Sequence, residues 1–172
     1  MPNVLLVVDM VVGFMEEGRN LYCGDSAREI IPHIRLLIEQ HQIEGSPVVF
    51  ICDSHDPNDL EFEMFPIHCV TGTREAELIA ELQDYEGDVL PKRRYSAFFD
   101  TDLEEKLAII DPDKITICGV CTDICVMHTT ADARNRDYKV EVHANTVASF
   151  DEEAHLRALD HMEQILGASV VR

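Results

Sequence analysis

Val4-Leu5-Leu6-Val7-Val8 carries an apolar side chain at every position and then meets Asp9. A strand with one wet face alternates apolar and polar residues. An unbroken apolar run is therefore read as a strand covered on both sides, the environment of a parallel sheet. The pattern recurs at 48–53 and, interrupted by Thr116, at 115–118, with further strand-like runs at 89–91, 138–142 and 169–171. Helical spacing fills the intervals. Residues 27–42 place Ile30, Ile31, Ile34, Leu37 and Ile38 on one face, with Pro32 near the start; 74–83, 102–110 (capped by Thr101), 123–136 and 151–166 follow. Strands alternating with helices predict an α/β fold. The expected architecture is a single three-layer α/β/α domain over residues 1–172, built on a six-stranded, mostly parallel sheet.

Composition limits what such a domain does. No apolar run approaches the length of a membrane span, and Met1-Pro2-Asn3-Val4 lacks the basic start of a secretory signal. A cytoplasmic protein with no membrane partner is expected. The net charge of −19 repels phosphate backbones, and the one basic cluster, Lys92-Arg93-Arg94, is too short to reverse it, so no nucleic-acid partner is expected. Glycine-rich dinucleotide and phosphate loops are missing. The six cysteines, at 23, 52, 69, 118, 121 and 125, fit a reducing compartment better than a disulfide framework. Cys52 and Cys118 fall inside strands and read as core.

Ligands of parallel α/β sheets bind beyond the carboxyl ends of the strands. Asp9, Asp53 and the turn from Cys121 to Cys125 all fall there. Cys125 lies in the first turn of a helix that Thr122 or Asp123 can cap, where unpaired backbone N–H groups and the helix dipole favour a thiolate and an adjacent oxyanion. That is the core of an acyl-transfer site. Asp53-Ser54-His55 puts two ligand-type side chains on one side of an extended backbone, with Glu61, Glu63 and His68 following, a set that suits zinc, iron or manganese. An acidic surface loop is the plainer reading. The segment 54–73 is longer than ordinary connections, which favours function. Asp9, after an apolar run, is either solvated or a desolvated acid suited to proton transfer, and Lys92 near the same rim would help keep it ionised. Cys118-Gly119-Val120-Cys121 also has the form of a redox pair or zinc knuckle, but Cys118 sits in the apolar run and no second such pair exists. Phe14, Phe65 and Tyr95 read as core or rim aromatics.

Five segments carry a family resemblance. They are Val7-Val8-Asp9, Asp53-Ser54-His55, Phe65-Pro66-Ile67-His68-Cys69-Val70-Thr71-Gly72-Thr73, Lys92-Arg93-Arg94-Tyr95-Ser96-Ala97-Phe98, and Gly119-Val120-Cys121-Thr122-Asp123-Ile124-Cys125-Val126. In this order they resemble the isochorismatase-like cysteine hydrolases, and within them the nicotinamidases. The resemblance implies a catalytic triad of Asp9, Lys92 and Cys125. It implies an oxyanion hole from the Cys121 and Cys125 amides, with a cis peptide at Val120–Cys121. Asp53, His55 and His68 become ligands of one divalent metal, zinc first with iron or manganese as alternatives. Glu61 is the fourth ligand and Glu63 its alternative. Phe14, Phe65 and Tyr95 become the walls of the substrate site. Cys121 departs from the family, where a small residue or threonine is usual. The implied activity is hydrolysis of nicotinamide, and of pyrazinamide-like carboxamides, to the acid and ammonia through a cysteine thioester, in NAD salvage. A homo-oligomer is expected. Two rivals stand beside this expectation: an amidase of the same superfamily acting on a carbamoyl or ureido substrate, and a non-catalytic metal-binding or redox-sensing protein.

Overall fold

The computed structural model describes residues 2–172. Six strands form one sheet: β1 (Val4–Val8), β2 (Val48–Asp53), β3 (Asp88–Lys92), β4 (Ile115–Val120), β5 (Val140–Ala148) and β6 (Ser169–Val171). Their order is β3-β2-β1-β4-β5-β6, and every pairing is parallel. The expected mostly parallel sheet is thus parallel throughout. The central strands are buried on both faces, as the unbroken apolar runs require.

Successive side chains point to opposite faces of a strand, and β1 divides its residues accordingly. Leu5 and Val7 join one core with α1 (Val12–Met15), α2 (Asp25–Arg28) and α3 (Ile31–Ile43). Val4, Leu6 and Val8 join the other with α4 (Leu103–Ile110), α5 (Met127–Asn135) and α6 (Glu152–Gln164). Reading outward from the middle of the sheet, the chain goes from β1 to β2 on one side and to β4 on the other, so the strand order reverses between β1 and β4. Clefts in parallel α/β sheets open at such a switch point.

Four local expectations need correction. The helix expected over 27–42 is two helices, because Pro32 lacks an N–H and restricts Ile31, so α3 starts afresh with the proline in its first turn. No helix spans 74–83. Val12 N donates to Glu77 O and Ile79 N to Met10 O, which holds 77–79 extended between two short 3₁₀ turns, Arg74–Ala76 and Ala80–Leu82. The strand expected at 138–142 begins at Val140 and runs on to Ala148, since beyond a bulge Val147 and Ala148 pair with Gly119 and Val120. Neither Thr122 nor Asp123 caps a helix. Thr122 Oγ1 bonds His155 Nδ1, Asp123 accepts from Ser149 Oγ, and the chain enters α5 through one wide turn, Thr122–Val126, in which Val126 N donates to Cys121 O.

Candidate active site

The carboxyl ends of β1 to β4 converge on one buried cluster. β1 ends at Asp9, which takes a left-handed backbone (φ 53°) that a short polar residue tolerates better than most. Asp9 Oδ1 accepts from Asp53 N at 2.9 Å, so the end of β2 fixes its orientation. β3 delivers Lys92, whose Nζ lies 2.9 Å from Asp9 Oδ2, bonds Asp53 Oδ1 and reaches Cys125 Sγ at 3.4 Å. β4 leads through the cis peptide Val120–Cys121 into the turn that carries Cys125. Asp9, Lys92, Asp53 and Cys125 are all buried.

Burial in company sets the charges. Burial, helped by the Asp53 charge and opposed by Lys92, raises Asp9 to about 6. Burial also disfavours the Lys92 ammonium, but Asp53 and Asp9 outweigh it and hold Lys92 well above its usual range. Burial acts upward on Asp53 too, yet Lys92 and the neighbouring imidazoles keep it well below the carboxylate range. Burial pushes the Cys125 thiol well up, with Lys92 pulling the other way. Burial of the sulfur thus opposes the thiolate that a helix end alone would favour, and Asp9 and Lys92 are the charged groups set beside it.

A second cluster adjoins the first. Asp53 Oδ2 lies 3.4 Å from His55 Nε2 and 3.7 Å from His68 Nε2, and His68 Nε2 lies 3.9 Å from Glu61 Oε1. The donor atoms of Asp53, His55 and His68 fall within 4.8 Å of one another. Glu61 is buried at this cluster, whereas Glu63 is exposed. His68 Nδ1 is 2.8 Å from Pro66 O, a carbonyl that can only accept, so the Nε2 lone pair faces the carboxylates. Glu61 Oε2 is buried without a hydrogen-bond partner among the described residues. In this neighbourhood the buried carboxylates of Asp9, Asp53, Asp59 and Glu61 pair, among the described lysines and arginines, with Lys92 and Arg94, two positive charges short of balance. The donor separations approach the edge of a tetrahedron with bonds of about 2.0–2.2 Å, roughly 3.3–3.6 Å. Donor set, orphaned oxygen and charge deficit all fit one divalent cation.

Both clusters open into one cavity of about 370 Å³, counted with its mouth. Phe14, Phe65 and Tyr95 line it, together with Leu21, Ile124 and Phe150, which sequence reasoning missed. The first two are ordinary apolar residues and Phe150 lies beyond β5, so pattern alone gave no signal for any of them. Asp59 and Arg94, paired at 2.8 and 3.0 Å behind the second cluster, were missed as well. Cys118 is fully buried in the core, which denies a redox pair the exposed first thiol it needs. Cys121 Sγ packs 3.7 Å from Cys23 Sγ.

A buried thiol with its own acid and lysine, at the switch point of a parallel sheet, places the chain among the α/β hydrolytic enzymes. The isochorismatase domain profile matches residues 3–171, and the chain belongs to the isochorismatase family. It is 38% identical over 181 residues to the Bacillus subtilis isochorismatase family protein PncA, covering 99% of each chain. The crystal structure of nicotinamidase PncA from Bacillus subtilis superposes with a TM-score of 0.93 at 38% identity, covering 100% of both chains. Pyrazinamidase of Pyrococcus horikoshii in complex with zinc gives 0.91 at 30% identity, over 100% and 99% of the two chains. N-carbamoylsarcosine amidase from Thermoplasma acidophilum gives 0.89 at 35% identity, over 100% and 96%. No helix among the described residues is long and apolar enough to cross a membrane.

Proposed function

We propose that the chain is a cysteine amidase of the nicotinamidase type, hydrolysing nicotinamide and related heteroaromatic carboxamides to the acid and ammonia. The observation that carries this reading is the shared cavity: the Asp9–Lys92–Cys125 cluster and the imidazole–carboxylate cluster open on one small apolar-walled space. One group of residues breaks an amide, and the other recognises a ring with a donor atom.

Asp9 takes the proton from Cys125 as the sulfur attacks the carboxamide carbon, and Lys92 holds the acid and sulfur in place. The amides of Cys121 and Cys125 receive the developing oxyanion. Asp9 then gives its proton to the departing nitrogen, ammonia leaves, and a thioester remains on Cys125. Water, deprotonated by Asp9, cleaves it to the acid and returns the thiol. Asp53, His55, His68 and Glu61 would hold the divalent cation, zinc with iron or manganese as alternatives. When bound it supplies a Lewis-acid contact for a ring nitrogen. Phe14, Phe65 and Tyr95 fix the ring plane and exclude water. In a cell this activity belongs to NAD salvage, in the cytoplasm.

The test is ammonia release by purified, metal-analysed protein from nicotinamide, benzamide and a ureido compound. Benzamide offers the same amide without a ring nitrogen, and losing that contact is expected to lower kcat/KM about a hundredfold or more. Equal rates on both amides would mean that the ring nitrogen is not recognised. Turnover confined to the ureido compound would assign the chain to the chemistry of the Thermoplasma relative.

A further inference from the structure

Behind the imidazole–carboxylate cluster, one carboxylate is held on every side. Asp59 precedes the short turn Leu60–Glu63. Its Oδ1 accepts from Glu61 N at 2.9 Å and from Arg94 Nη1 at 2.8 Å; its Oδ2 lies 3.0 Å from Arg94 Nη1 and 3.1 Å from His55 Nδ1. The side chain is 3% exposed. An ionised carboxylate only accepts, so the proton of a neutral His55 must sit on Nδ1. That leaves the Nε2 lone pair turned to Asp53 Oδ2, 3.4 Å away. The backbone carbonyl of Pro66 imposes the same tautomer on His68. The same carboxylate, by accepting from Glu61 N, also fixes the start of the turn that presents Glu61.

We propose that Asp59, clamped by Arg94, is a positioning residue for the divalent-cation site: it selects the His55 tautomer and sets the place of Glu61. This rests on the metal reading given above. Asp59 is not itself a ligand in this scheme, although one of its oxygens lies within 4.8 Å of donors on His55 and Glu61. Both oxygens already accept two bonds each, and a cation there would meet the Arg94 guanidinium. Histidine ligands hydrogen-bonded through their second nitrogen to a carboxylate bind metal more tightly, by about 10–100-fold.

The experiment measures zinc and manganese affinity by chelator competition, starting from loaded protein, for the parent chain, Asp59→Ala and Asp59→Asn. Asp59→Asn keeps the volume, so it tests the tautomer even where Asp59→Ala fails to fold. With its NH₂ toward His55 the amide donates to Nδ1 and forces the proton to Nε2; flipped, the NH₂ meets the donors of Glu61 and Arg94. Both variants are therefore expected to lose about 10–100-fold in affinity, with kcat recovering to near the parent value at saturating metal. Imidazole nitrogen NMR of the metal-free chain should show His55 protonated on Nδ1 in the parent and displaced from it in Asp59→Asn. Parent-like affinity in Asp59→Asn, or an unchanged His55 signal, overturns the proposal, as does a parent chain that binds neither metal. A parent chain that binds metal in this Asp59-dependent way yet leaves nicotinamide intact supports the positioning role and refutes the amidase reading alone.

Discussion

Cys125 and Cys121 lie four positions apart on the same cavity wall, yet their side chains have different neighbours. The sulfur of Cys125 touches Lys92; that of Cys121 faces Cys23 in the wall behind. Cys125→Ala should lower kcat for ammonia release by about 10⁴-fold or more with the fold intact, since it removes the sulfur that bonds Lys92. Cys121→Ala keeps the backbone amide and should retain at least about a tenth of the parent kcat. Equal losses in the two variants would show that the assignment of the nucleophile is wrong. Asp9, Lys92 and Cys125 were legible as a group because each falls at the end of a strand or in the turn that follows one, where a parallel sheet gathers side chains at its rim. The metal-type cluster was legible from Asp53-x-His55 and His68, and geometry separates Glu61, turned inward, from Glu63, turned to water. Asp59 and Arg94 were not legible, since their roles depend on a contact across 35 residues that no local spacing encodes.

At the scale of elements, the seam between β1 and β4 is the demanding one. Gly119 has φ +108°, and a Cβ built there would lie 2.0 Å from Val8 O. Backbone cannot swing aside as a flexible side chain can, so any larger residue pushes the two strands apart. Asp9 follows Val8, and the cis peptide and Cys121 follow Val120. Gly119→Ala should destabilise the fold by roughly 3 kcal/mol or more in urea titration. In the fraction that stays folded, kcat/KM should fall at least about tenfold, although no functional group is lost. A variant with parent activity would mean that the seam tolerates adjustment. Two of the elements misjudged from sequence share a cause: residues 77–79 and 143–148 take their form from distant backbone partners, Met10 and Val12 in one case and β4 in the other. Local spacing describes a segment alone; pairing is decided by the sheet.

Over the whole molecule, metal and fold are separable. The core lies on the two faces of the sheet and the proposed cation site on its rim, so removing the metal should leave a folded chain. A ligand at about a thousandfold excess over its Kd stabilises by about 4 kcal/mol, which for a domain of this size corresponds to about 10 °C in Tm. Calorimetry before and after chelation should find a drop of that order with one cooperative transition retained, and metal analysis about one equivalent per chain beforehand. Collapse to an unfolded chain on chelation, or less than a tenth of an equivalent in fully active protein, would contradict the arrangement. The sheet has a further consequence. A strand apolar on both sides could slide by one residue and still bury greasy side chains, because either set suits either face. β1 is such a strand. What denies it that freedom stands at its end: Gly119 admits the Val8 backbone at one height only, and Asp9 is met by Lys92 and the Asp53 amide at one height only. Gly119 and the groups proposed to do the chemistry thus together form the notch by which the central strand finds its place.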